Sequence, residues 1–227
     1  MKATLYLGDC LDIAPTPKGV DAVVSDPPYG MGWNTDSTRF SGSPNNPYGQ
    51  HFKRGLGRDD WGAIDGDSKP FDPSPWLGFP RVILWGANHY AQRLPVGTTL
   101  VWIKKPDHLF ATFLSDAEIG WQKGGHGVYC HRALFPPPTR MAESHTGGCL
   151  HPAQKPLSLM GWCIERLTLD KGSTILDPYM GSGTTGVAAL RLGMNFIGIE
   201  KEPRYFDAAV RRIKSDAPMF HTVEVVR

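Results

Sequence analysis

Two groups of residues have the types and the spacing to do chemistry. The first is Asp26-Pro27-Pro28-Tyr29, which closes the apolar run at 20–25 and leads into Gly30. Each proline lacks a backbone N–H and drives the residue before it away from helical angles. The result is a stiff edge with one carboxylate, bare carbonyls and one flat ring. Such an edge suits a planar amine: the carboxylate and a carbonyl accept its two N–H groups, and Tyr29 stacks on its face. The second group is Asp177-Pro178-Tyr179-Met180-Gly181-Ser182-Gly183-Thr184-Thr185-Gly186, with Glu200 at the end of the next apolar run. Small residues let a ligand approach the backbone, helix N–H groups meet its anionic end, and a strand-end acid accepts ribose hydroxyls. The loop alone admits NAD, FAD or S-adenosylmethionine. No lysine follows Gly183, which disfavours a phosphate-loop nucleotide hydrolase. Asp177 would repel a pyrophosphate and attract an ammonium, and the methionine part of S-adenosylmethionine carries one.

An amine-holding edge and a methyl-donor loop combine into one reaction, methyl transfer to an exocyclic amino group. The lone pair of such an amine is delocalised into its ring. Asp26 and the Pro27 carbonyl would hydrogen-bond its two N–H groups, localise the lone pair and aim it at the methyl group. That is catalysis by proximity and electrostatics. The amine becomes acidic only once methylated, so Asp26 need not be a strong base beforehand.

These residues need a scaffold of strand ends. The apolar runs at 4–7, 20–25, 81–85, 98–103, 173–176 and 195–199 read as strands, and several end in an acid. Helical spacing of Leu157, Met160, Cys163, Ile164 and Leu167, a helix over 187–192 closed by Gly193, and a last helix from Pro203 to about 213 supply the crossovers. The expected fold is α/β: a doubly wound, mostly parallel Rossmann-like sheet with one reversed strand in a hairpin near 118–135. Ligands of such sheets bind outside the carboxyl ends of the strands. Pro136-Pro137-Pro138 should stop that hairpin, and 140–150 reads as loop. Residues 31–79 show no periodicity and scatter Trp33, Phe40, Tyr48, Phe52, Trp61, Phe71 and Trp76 among Lys53, Arg54 and Arg58. That stretch suits either a loop over the site that binds extruded bases, or an insertion whose aromatics pack on the body. The end, 219–226, fits an edge strand or a frayed tail.

The chain has 227 residues, a formal net charge of +2 and four cysteines, with no C-x-x-C pair. This fits one domain, permits a nucleic-acid partner without requiring one, and reads as reduced thiols rather than a disulfide framework. The first residues turn polar too early for a signal peptide, and no apolar run nears the roughly 20 residues of a membrane span. A soluble cytoplasmic protein is expected.

With these residues in place, the chain resembles the amino-DNA methyltransferases, the N6-adenine and N4-cytosine group, in the permuted class β order with the catalytic motif first. Asp26-Pro27-Pro28-Tyr29 is similar to the catalytic motif. The 177–185 stretch is similar to D-P-F-x-G-S-G-T-T, with Tyr179 for Phe. His151-Pro152-Ala153-Gln154-Lys155-Pro156 is similar to H-P-T-Q-K-P, with Ala153 for Thr, and Gly8-Asp9-Cys10 sits where the family has G-D-x. The resemblance implies a cofactor, S-adenosylmethionine, and no metal. Asp9 and Cys10 would border its adenine and Glu200 would hold its ribose. Asp177, Tyr179, Gly181, Ser182, Gly183, Thr184 and Thr185 would cradle the methionine part, and Lys155 would meet its carboxylate. Asp26, Pro27, Pro28 and Tyr29 would hold a base flipped out of double-stranded DNA. It also implies a bacterial or phage-infected cell, and a monomer or homodimer. The family's target-recognition region falls at 133–150 and is short, which points to 31–79, a dimer partner or low specificity.

D-P-P-Y is typical of the adenine enzymes and S-P-P-Y of the cytosine N4 enzymes, so Asp26 favours adenine. N4-cytosine and RNA adenine remain as substrates. Asp26 and the motif order disfavour a protein-glutamine methylase. From other classes stand a non-catalytic DNA-binding module that keeps the fold and a nicotinamide oxidoreductase. Zinc on His126, Cys130, His131, His145, Cys149 and His151 lacks standard spacing. Trp85, Trp102, Trp121 and Trp162 read as core, and Lys104-Lys105 as a solvated strand end placed where it could contact a phosphate.

Overall fold

The computed structural model describes residues 1–13, 19–32, 66–112, 115–144, 153–216 and 222–227. An eight-stranded sheet runs through it in the order β4-β5-β3-β2-β6-β7-β1-β8. The strands are β1 (Lys2–Leu7), β2 (Ala22–Ser25), β3 (Arg81–Trp85), β4 (Gly97–Ile103), β5 (Ala117–Arg132), β6 (Thr174–Asp177), β7 (Asn195–Glu200) and β8 (Thr222–Val226). The helices are α1 (Cys10–Ile13), α2 (Ser74–Leu77), α3 (Pro137–Ser144), α4 (Leu157–Arg166), α5 (Thr184–Arg191) and α6 (Pro203–Asp216). Among the described residues no helix is long and apolar enough to cross a membrane.

The central strands are short, apolar and covered on both faces, as parallel strands flanked by helices must be. Side chains alternate between the faces. Val24, Ile83, Trp85 and Ile175 pack on one side with Leu159, Val187 and Phe206 of the helices. Val23, Val82, Leu84 and Leu176 pack on the other with Trp76, Phe79 and Tyr90. Phe71 and Trp76 therefore belong to the body. Trp33, Phe40, Tyr48, Phe52, Trp61, Lys53, Arg54 and Arg58 lie outside the described residues.

β2 pairs in parallel with both β3 and β6. β3 pairs with β5 in the opposite sense, which is the expected reversed strand. The expected hairpin is different, however. β5 bends at Gly124 and Gly125, whose φ values are +81° and +68°. Its first limb runs down β4 from Ile103↔Ala117 to Thr98↔Gln122, and its second runs up β4 from Thr99↔Val128 to Ile103↔Arg132. The two limbs flank β4 instead of pairing with each other, because the four-residue crossing at 124–127 is long enough to pass beneath the start of β4.

Three further expectations are corrected. Helix α3 runs from Pro137 to Ser144, so 140–144 is helical where a loop was expected; it can start on proline, which is tolerated in a first turn because its N–H would be unpaired anyway. Residues 145–150 lie outside the described residues. Helix α5 begins at Thr184 instead of 187. Only Gly181 and Gly183 of the loop take positive φ, while a Cβ on Gly186 would meet the Phe196 ring at 2.6 Å, so that glycine serves close helix-to-strand packing. Lys104 and Lys105 are ion-paired at 2.9 Å to Glu118 and Asp116. The end of the chain is the edge strand β8, parallel to β1. Trp85, Trp102 and Trp121 are buried, and Trp162 packs against the core and stacks on His131.

Candidate active site

Asp26 follows the last residue of β2 and Asp177 is the last residue of β6, so adjacent parallel strands deliver two carboxylates to one edge of the sheet. Ser25 links them: its hydroxyl donates to Asp177 Oδ1 at 2.6 Å. A cleft of about 940 Å³ opens at this edge, and Asp9, Asp26, Tyr29, Lys155, Tyr179 and Glu200 are among the residues that line it.

Asp26 is engaged on both oxygens. Tyr29 donates its hydroxyl to Oδ1 at 2.5 Å, and Lys155 Nζ lies 2.5 Å from Oδ2. Burial pushes the Asp26 carboxyl up against the opposing pull of the Lys155 ammonium. The Tyr29 ring is stacked on His89, with centroids 5.1 Å apart and planes 13° from parallel. It also lies on Gly86, where an added Cβ would fall 2.0 Å from the ring and where φ is +75°. The backbone after Tyr29 is tied down by buried Asp67, which accepts the N–H groups of Gly30 at 2.9 Å and Met31 at 3.2 Å.

Lys155 just precedes α4 and is 7% exposed. It meets Asp26, the Tyr29 hydroxyl at 3.1 Å and Glu118 Oε2 at 3.1 Å. Burial alone would raise the Glu118 carboxyl, but the Lys155 and Lys104 ammoniums outweigh it and hold it at about 2. Lys155 is correspondingly raised: its two carboxylate partners outweigh the desolvation. Beside it, Gln154 is 4% exposed and lines the cleft, yet its amide has no hydrogen-bond partner on oxygen or nitrogen among the described residues. Leaving such a group unpaired costs about 1–3 kcal/mol, which a ligand would offset.

The glycine loop turns between β6 and α5. Burial raises the Asp177 carboxyl to about 6, although the Ser25 and Thr185 hydroxyls and the Tyr179 N–H support its charged form. Glu200 ends β7 and accepts the Gly181 N–H at 2.9 Å and the Glu202 N–H at 2.8 Å. Ser182, Thr184 and Thr185 are buried beneath the loop rather than presented on it. Arg212 of α6 braces them, donating to the Thr184 hydroxyl at 2.8 Å and the Ser182 carbonyl at 3.3 Å. Cys10 is buried near Tyr179, and burial raises its thiol to about 11. Asp9 accepts the Leu11 N–H at 2.9 Å and lies 3.4 Å from Lys201.

Sequence reasoning missed Glu118, Lys104, His89, Asp67 and Arg212. Of these only Lys104 carried a signal, as a charge at the end of an apolar run. His145, Cys149 and His151 lie outside the described residues. Among the described residues no group of three His, Cys, Asp or Glu is placed to hold a metal.

A DNA methylase family model matches residues 101–211. The chain is 51% identical over 65 residues to the type II methyltransferase M.BglI of Bacillus subtilis, which is 29% of this chain and 18% of that protein. It is 48% identical over 81 residues to the type II methyltransferase M2.DpnII of Streptococcus pneumoniae, 34% of this chain and 28% of that one. The matched segments thus span under a third of either relative. A putative DNA modification methylase of Thermus thermophilus, solved with S-adenosyl-L-methionine, superposes with a TM-score of 0.58 at 18% identity over 99% of this chain and 100% of the other. The M1.HpyAVI complex with SAM gives 0.53 at 21% identity over 93% and 98%. The cytosine-N4-specific PvuII DNA methyltransferase gives 0.56 at 17% identity over 93% and 86%. At these identities the likeness is one of fold.

Proposed function

Because the chain belongs to the N6-adenine/N4-cytosine DNA methylase family, we propose that it transfers the methyl group of S-adenosylmethionine to the N6 amine of an adenine flipped out of double-stranded DNA. The observation that carries this reading is the joint delivery of the Asp26–Tyr29 edge and the Asp177 loop into one cleft by the neighbouring strands β2 and β6. An amine acceptor and a nucleoside-cofactor loop are then within reach of one reacting atom pair.

The residues present fit the cofactor. Tyr179 and Gly181 of the loop line the cleft with the Asp177 carboxylate buried just behind them, where its charge would favour an ammonium; Glu200 faces the cleft with lone pairs to spare, and Cys10 and Tyr179 supply an apolar wall. The cofactor, when bound, supplies an electrophilic methyl on a cationic sulfur. Everything else falls to the chain. Asp26 and the Pro27 carbonyl accept the amine N–H groups and concentrate its lone pair. Tyr29, which lines the cleft with its ring fixed against His89 and Gly86, supports the base by stacking. After transfer the amine is cationic, and Asp26, raised by burial, is the adjacent acceptor for its proton.

Adenine over cytosine rests on Asp26 at the head of the motif. The N4-cytosine reading uses the same amine chemistry, and the test distinguishes them. Labelled methyl transfer from S-adenosylmethionine to unmethylated DNA, followed by nucleoside digestion and mass analysis, should yield N6-methyl-2′-deoxyadenosine. N4-methyl-2′-deoxycytidine would move the base assignment, and no methylated deoxynucleoside would overturn DNA methylation.

A further inference from the structure

An amine whose N–H is to reach Asp26 Oδ2 must first meet Lys155, which already occupies that oxygen. Moving a lysine this deeply buried off its carboxylate would strand an ammonium without a counter-ion, a strongly unfavourable state. A second carboxylate is already in place. Glu118 Oε2 lies 3.1 Å from the same Nζ, while its Oε1 is held 2.9 Å from Lys104. Glu118 sits on the first limb of β5, across from Trp102 of β4, so the sheet and not a motif loop fixes its position. The cluster is balanced, Asp26 and Glu118 against Lys155 and Lys104, and the charge on Asp26 is in turn felt by Asp177 of β6.

We propose that Glu118 is a positioning residue for methyl transfer: it receives the Lys155 ammonium as that group leaves Asp26, and thereby frees Asp26 for the target amine. The proposal rests on the methyl-transfer reading above. It differs from a plain structural ion pair in one respect. Glu118 matters only while Lys155 is there to be moved.

The experiment measures single-turnover methyl transfer to DNA at saturating S-adenosylmethionine for the wild type, Glu118→Gln, Lys155→Met and the double variant. Cofactor affinity without DNA is measured by calorimetry alongside. Glu118→Gln should slow transfer by at least about tenfold with cofactor affinity little changed. On the Lys155→Met background the same substitution should have no further effect, and the double variant should outpace Glu118→Gln alone. The comparison between Lys155→Met and the double variant stands even if Glu118→Gln fails to fold. A further large drop in the double variant, an unaffected Glu118→Gln, or a loss confined to cofactor affinity overturns the role of Glu118. Absence of transfer by the wild type in the same assay would instead remove the methyl-transfer reading itself.

Discussion

If Asp177 serves the cofactor as proposed, fold and cofactor make opposite demands on it. The side chain is 3% exposed, and burial holds its carboxyl at about 6 against an ordinary 3.8. A raised carboxyl means that folding favours the protonated form. Its stabilising contribution is complete below 3.8 and is lost as the pH rises through about 6. A gap of roughly two units, at about 1.4 kcal/mol each, puts the deficit near 3 kcal/mol at neutral pH and above. Asp177→Asn should remove it. The amide oxygen can still accept from the Ser25 hydroxyl and the Tyr179 N–H, now at 2.6 and 3.2 Å. Urea unfolding of both proteins at a series of pH values is the assay, because the difference curve cancels the shifted groups that Asp177 does not interact with. The variant should be the more stable by up to about 3 kcal/mol near pH 8, and the gain should shrink toward nothing between about pH 6 and pH 4. Cofactor affinity should move the other way. The variant should lose about tenfold or more, and the wild type should bind more weakly as the pH falls through about 6. A stability difference that does not change with pH, or an Asn variant less stable than the wild type near pH 8, would refute the argument that ionised Asp177 is retained for a ligand.

Three other outcomes are expected. Asp26→Ala should abolish methyl transfer while calorimetry finds cofactor binding largely intact; equal loss of both would remove the assigned role. Glu200→Ala should weaken the cofactor by at least about tenfold, since it deletes a ribose acceptor and also the carboxylate that receives the Gly181 and Glu202 N–H groups; unchanged affinity would remove the ribose assignment. Gly86→Ala combines positive φ with a Cβ 2.0 Å from the Tyr29 ring. It should cost about 1–3 kcal/mol in a denaturant melt and slow transfer with cofactor affinity retained, and full transfer would mean that the Tyr29 ring position is not needed.

How much of this site was legible in the chain depends on the range over which each residue acts. The strand-to-glycine-turn-to-helix grammar is local, so β6, the 181–183 turn and Glu200 at the end of β7 could be read from 27 consecutive residues (174–200). The same holds for Asp26, whose setting is an apolar run and two prolines. Lys155 was legible as a site residue only through its motif, and its partner was not: it lies 129 positions from Asp26, and the sheet brings them together. Glu118 is harder still. Nothing within its own strand distinguishes it from a solvated glutamate, and its meaning comes from the way β5 bends around β4 and carries the first limb past the carboxyl end of β2's neighbour β3. The two prolines that stiffen the amine-holding edge thus leave Asp26 with no backbone donor of its own. The charge that steadies it has to come from distant elements, and a cation supplied from a distance must have somewhere to go when substrate arrives. That requirement is set by the buried carboxylate, and it assigns Glu118 a task that no short stretch of the sequence could state.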